Sequence, residues 1–218
     1  MQASPYIAHL TDSALPTGGF AFSNGLESAA KHGFFNTPDD LKSYIQAFLK
    51  QLHYSEIPFV SAVYEMESLD DLKPILSEYD ATVLIPEAHA ASINQGKAWI
   101  RLADHIYDEL RDTPIKQIFQ DKTPHYIITF AYTMTRLEID LETTINLLLY
   151  NSLRDQISAA IRLGIIGPMD AHAMQVALSK DIKMPQSIPD YREASRNLPL
   201  LDIAQANHQH LYAKLFQN

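Results

Sequence analysis

Residues 141–163 read LETTINLLLYNSLRDQISAAIRL. Leu147, Leu148, Leu149, Leu153, Ile157 and Ile161 recur largely at steps of three and four, the spacing that collects side chains on one face of an α-helix. The apolar face is too broad for a surface helix, which predicts a central one, ended by Gly164.

Working outward, the same period covers most of the 218 residues, and only seven glycines interrupt it. On the N-terminal side, Gly33 ends a short helix, and Thr37-Pro38-Asp39-Asp40 reads as an N-cap, an N1 proline and an acidic first turn. Leu41, Tyr44, Ile45, Phe48, Leu49 and Leu52 then form one stripe. Further helices are expected over residues 58–66, 69–79 and 87–110, with Val83-Leu-Ile85 as a connector. Gly96 lies inside the third and predicts a close helix crossing there. Thr113-Pro114 and Thr123-Pro124 read as two more helix starts. On the C-terminal side, Pro168 opens a helix to residue 178, residues 183–199 are looser, and residues 200–216 are expected to form the last helix. The fold class is therefore all-α: a compact single-domain bundle of about ten helices over residues 1–218, with no internal repeat. The arm at about residues 1–11 and the segment at about 200–218 are the expected interaction segments.

A different signal lies at Asp12-Ser-Ala-Leu-Pro-Thr-Gly-Gly-Phe20, followed by Ala21-Phe-Ser-Asn-Gly-Leu-Glu27. Pro16 fixes its own φ, while Gly18 and Gly19 can adopt values closed to other residues. Asn24 and Glu27 have the spacing of a capping box, which starts a helix near Gly25. Free amides at a helix start can cradle phosphate, but no Lys follows in the Walker spacing. The other reading is a tight turn that lets Phe20 and Phe22 reach the core.

Composition removes several function classes. Hydrophobic residues make up 46% and charged residues 20%, ordinary for a packed globular protein. Seventeen basic against 26 acidic residues give a net charge of -9 with no basic stripe, so no nucleic-acid partner is expected. Without cysteine there is no disulfide, thiolate ligand or thiol nucleophile, which suits a reducing cytoplasm. Residues 1–10 lack a basic start and a long apolar run, so neither secretion nor a membrane span is expected.

No catalytic motif emerges. Among nine histidines, His208 and His210 are two apart and diverge by about 200° on a helix. His105 and Asp108 have ligand spacing but read as a solvated face, and His89 and His125 read as packing or capping residues. No metal site and no cofactor are expected. The pairs Asp39-Asp40 and Asp70-Asp71 answer helix dipoles, Asp108-Glu109 reads as a helix end, and no G-x-S-x-G elbow is present. Arg162 is either a cation at a helix C-terminus or a guanidinium that ties down a loop or reaches a partner.

Four segments resemble the UreF family of urease accessory proteins: residues 12–27; Ser92-Ile-Asn-Gln-Gly96; residues 158–167, with Arg162 and Gly167; and Pro199-Leu-Leu-Asp-Ile-Ala204 with His208, Leu211-Tyr212 and Leu215-Phe216. They follow the family's order and span nearly the whole chain. The departures are Phe22, where many members have a polar residue, Ala131, where Gly is common, and Lys214 and Gln217-Asn218 in place of an arginine-rich ending. The resemblance implies an all-helical, non-enzymatic scaffold that assembles with a UreD/UreH-type accessory protein and the GTPase UreG. It would present them to apo-urease for nickel insertion, dimerise and modulate GTP hydrolysis. It gives structural or partner-binding roles to Pro16, Gly18, Gly19, Phe20, Phe22, Glu27, Ser92, Gly96, Arg162, Gly167, His208, Leu211, Tyr212, Leu215 and Phe216. The alternative is a helical-bundle enzyme with a small-molecule pocket between helices.

Overall fold

The computed structural model describes residues 5–17, 19–110 and 115–217. Its helices in chain order are α1 (Pro5–Leu10), α2 (Leu26–Lys31), α3 (Pro38–Ser55), α4 (Ile57–Tyr64), α5 (Leu72–Thr82), α6 (Pro86–Ile106), α7 (Ile115–Ile118), α8 (Tyr126–Arg136), α9 (Leu141–Arg162), α10 (Pro168–Ser179) and α11 (Pro199–Asn207). Single 3-10 turns lie at Gly19–Ala21, Leu69–Asp71, Asp108–Leu110, Tyr191–Glu193 and His208–His210. There is no strand among the described residues, and residues 83–85 connect α5 to α6 as expected.

The helix that decides the fold class runs where the periodicity places it. Asp140 caps it, accepting the Thr143 amide at 2.8 Å and the Thr143 hydroxyl at 2.7 Å, and Gly164 leaves it at φ 71°. Its breadth has a structural reason, because α9 threads two hydrophobic cores. Ile145, Leu147, Leu148 and Leu149 belong to the larger, with Phe59, Trp99, Phe130 and Met134 from α4, α6 and α8. Leu153, Ile157, Ala159 and Ala160 belong to the smaller, with Leu26, Leu41, Ile45, Ala171, Leu178, Ala204 and Phe216. α3 divides likewise, Leu41 and Ile45 in one core and Phe48 and Leu52 in the other. It starts with the expected cap: Asp40 N–H donates to Thr37 Oγ1 and Thr37 N–H to Asp40 Oδ2, each at 3.1 Å.

Gly96 marks the crossing of α6 and α8. A Cβ there would lie 1.7 Å from the Pro124 carbonyl oxygen, so only glycine lets the chains approach this closely. That contact also explains why Thr123-Pro124 does not open α8. Pro124 is spent in the crossing, and the helix begins after His125, whose amide bonds to Thr123 O at 3.0 Å. The Thr113-Pro114 start lies outside the described residues.

The last expected helix is corrected. α11 ends at Asn207, a 3-10 turn follows, and the chain then runs back without regular structure through residues 211–217. The reason lies at the other end of the sequence.

Candidate functional site

The N-terminal segment is a chain of short turns. Asp12 Oδ1 accepts the Ala14 amide at 2.8 Å, Thr17 N–H bonds to Leu15 O at 2.7 Å, and Phe22 N–H to Gly19 O at 3.1 Å. Pro16 is exposed in this run, and Gly18 lies outside the described residues. Gly19 does not use the φ freedom open to glycine; in this segment positive φ falls at Asn24 (51°) and Gly25 (88°). A Cβ on Gly25 would lie 2.9 Å from Gln205 Cγ, so here both conformation and space demand glycine. Gly19 faces Asp155, whose Oδ2 would be 3.2 Å from its Cβ. A carboxylate there is the wrong neighbour for a phosphate.

Glu27 is not half of a capping box. Gly25 precedes α2 without a side-chain cap, the Glu27 amide donates to Ser23 Oγ at 3.3 Å, and the Glu27 carboxylate is fully buried and aimed at the C-terminal tail. Its Oε1 accepts the Leu215 amide at 2.8 Å and Lys31 Nζ at 2.9 Å. Its Oε2 accepts the Phe216 amide at 3.0 Å and stands 3.1 Å from His208 Nε2. Lys31 also donates to the Ala213 carbonyl, and Gln217 N–H bonds to Ala21 O at 2.8 Å. These bonds turn the chain back after His210 and end the helix early. Burial alone would raise the Glu27 pKa. The donors from Leu215, Lys31, Phe216 and His208 outweigh it and hold the carboxyl at about 2.

Arg162 completes the clamp. As the last residue of α9 it is a C-terminal helix cation, and it also ties down both chain segments. Its guanidinium lies 3.5 Å from the Phe20 ring centroid and 4.2 Å from that of Phe216, and it donates to the Phe20 carbonyl. Phe22 enters the core as expected, but Phe20 does not: it is 68% exposed and packs on the guanidinium. Earlier on α9, Gln156 Nε2 donates to Ser23 O at 3.0 Å and Arg154 to Thr11 O at 2.6 Å.

The fold thus gathers Gly19, Phe20, Phe22, Glu27, Arg162, His208, Leu215 and Phe216 into one assembly of N-terminal turn, helix end and tail. Leu211 and Tyr212 lie on the same tail, Leu211 half-buried and Tyr212 fully exposed. Ser92 and Gly96 belong instead to α6. Gly167 precedes α10 with ordinary φ and nothing within 4 Å of a Cβ, so its surroundings do not require glycine. Gly25, Gln156 and Gln205 are members that sequence reasoning missed; of these only the Asn24-Gly25 turn pair carried a local signal.

A cavity of about 140 Å³ is lined in part by Glu56, Tyr79, Arg154, Asp155 and Arg196. Burial raises the pKa of Glu56 and of Asp155. Both carboxylates are engaged: Tyr79 OH donates to Glu56 at 2.5 Å with Arg196 at 3.9 Å, and Arg154 pairs with Asp155 at 2.8 Å. No helix among the described residues is long and apolar enough to cross a membrane.

Residues 35–179 match the family model UreF. The chain is similar to Urease accessory protein F of Arabidopsis thaliana, at 32% identity over 95% of this chain and 89% of the relative. It is likewise similar to Urease accessory protein F of Oryza sativa subsp. japonica, at 31% over 95% and 82%. Urease accessory protein UreF of Actinobacillus pleuropneumoniae is 25% identical over 97% of both chains.

Proposed function

We infer the function of this chain from its kinship: it belongs to the UreF family of urease accessory proteins. On that premise it acts in the cytoplasm as a non-enzymatic scaffold, a single-domain protein that joins a UreD/UreH-type accessory protein to a UreG-type GTPase. The assembly is presented to apo-urease while nickel is inserted, with the chain as a homodimer and with an influence on the partner's GTP hydrolysis. Nickel is cargo in this scheme.

The observation that carries the reading is the clamp of tail over turn. Glu27 and Arg162 commit their charges inward, while Phe20, Tyr212 and Leu215 on the clamped segments face solvent. Aromatic and aliphatic side chains held out on a fixed backbone suit a protein partner, because anchors of this kind contribute most of the binding energy at interfaces. The cavity carboxylates of Glu56 and Asp155 are each engaged by a neighbouring hydroxyl or guanidinium, which suits a structural role better than an acid–base one.

The test has two parts. Deleting the gene should abolish urease activity while urease protein persists, and the purified chain should capture both accessory proteins. The variant Phe20→Ala/Leu215→Ala should lose that capture while thermal unfolding shows a loss of no more than about 1 kcal/mol, the size of the contact between Phe20 and Arg162. Normal urease activity in the deletion strain under limiting nickel would overturn the reading.

A further inference from the structure

Three side chains, from the ends of three helices that contribute to the larger core, meet at one point. Asp80 stands near the end of α5, His89 in the first turn of α6, and His125 immediately before α8. His89 Nε2 lies 2.8 Å and His125 Nε2 2.9 Å from the same oxygen, Asp80 Oδ1. One nitrogen or oxygen of each lies within 4.8 Å of the others, and the two imidazoles stand edge to face at 5.1 Å. His125 is completely buried, whereas the Asp80 side chain is 46% exposed, so the cluster has one closed side and one open to water. The second nitrogen of His125, Nδ1, is 3.1 Å from Ser92 Oγ, and Ser92 lies one helical turn beyond His89 on α6.

We propose that Asp80, His89 and His125 bind a divalent transition-metal ion of the Ni²⁺ or Zn²⁺ type through His89 Nε2, His125 Nε2 and an Asp80 carboxylate oxygen. Two imidazoles and a carboxylate are the donors such ions take. Metal–ligand bonds of about 2.1 Å at tetrahedral angles place ligand atoms about 3.4 Å apart. The observed nitrogen–oxygen distances need to open by only about half an ångström, and the exposed Asp80 carboxylate can supply that movement. Ser92 supplies the outer-shell contact that a ligating histidine ordinarily has: with the ion on Nε2, the His125 Nδ1–H donates to its hydroxyl. The water-facing side leaves room for a further ligand, the arrangement of a site that exchanges its ion. The site rests on this geometry and does not depend on the scaffold function.

Untagged protein titrated separately with Ni²⁺ and Zn²⁺ by calorimetry should bind one ion per chain at this site. His89→Ala and Asp80→Asn should each weaken binding by at least about a hundredfold, and Ser92→Ala by about tenfold. The exposed His210→Ala should leave affinity unchanged, with circular dichroism checking that each variant is folded. X-ray absorption of the loaded wild type should show two imidazoles in the inner coordination shell. Absence of binding, an inner shell without imidazole, or undiminished affinity in folded His89→Ala/Asp80→Asn would overturn the proposal.

Discussion

Replacing Glu27 with Gln keeps the size and shape of a buried side chain while removing the charge that holds the C-terminal tail. The carboxyl sits at about 2 instead of 4.5. At about 1.4 kcal/mol per unit, the charged form contributes about 3 kcal/mol to the folded state. A carboxyl whose pKa is depressed by folding gives its full contribution above the unfolded value near 4.5, and loses it as the pH falls towards 2. Gln retains one acceptor oxygen for Leu215 N–H or Phe216 N–H, but its amide group cannot accept from Lys31 or His208. The expected loss is therefore about 2 to 3 kcal/mol, most of it in the docking of the tail. Measured by hydrogen exchange at neutral pH, the Leu215 and Phe216 amides should exchange on the order of a hundred times faster in Glu27→Gln. Thermal unfolding of the wild type should weaken between about pH 4.5 and pH 2, and the variant should show a shallower decline over the same window. Equal exchange rates at these two amides, or identical pH profiles for the two proteins, would refute the assignment of Glu27 as the anchor.

Gly96→Ala should cost about 3 kcal/mol or more in thermal or denaturant unfolding, because the new Cβ meets a backbone carbonyl that no rotamer change can move aside. The matched control Gly167→Ala, which meets nothing, should cost no more than about 1 kcal/mol. Arg162→Lys keeps the cation at the end of α9 but loses the planar group between Phe20 and Phe216. Stability should fall by only about 1 kcal/mol while capture of the accessory proteins falls sharply; unimpaired capture would reduce Arg162 to a helix cation.

The parts of the fold that were legible are those fixed by neighbours in sequence. The period of residues 141–163 gave α9 to within one residue, Thr37 and Asp40 gave the start of α3, and a glycine inside a helical pattern gave the α6–α8 crossing. The failures share one cause. Leu211 and Leu215 have helical spacing, so nothing local distinguishes a last helix from a tail pulled back by a carboxylate 188 residues away. Asn24 and Glu27 have capping-box spacing, and only the presence of the tail turns that carboxylate inward. Phe20 looks like a core residue until a guanidinium 142 positions distant offers its face. His89 and His125 read in the sequence as packing or capping residues because they lack ligand spacing, and their shared contact with Asp80 depends on how α5, α6 and α8 meet.

The clamp also sets an order of events. Its contacts join residues 20–31 to residues 208–217, nearly the whole length of the chain, and such distant pairings form late because a long loop must close first. During synthesis α2 and α9 leave the ribosome well before residue 216 does. Until then Glu27 has no amides to accept and Arg162 has only Phe20 to cover it. A partner that recognises the clamp would therefore ignore nascent or C-terminally clipped chains, so that docking itself would screen for molecules that have finished folding.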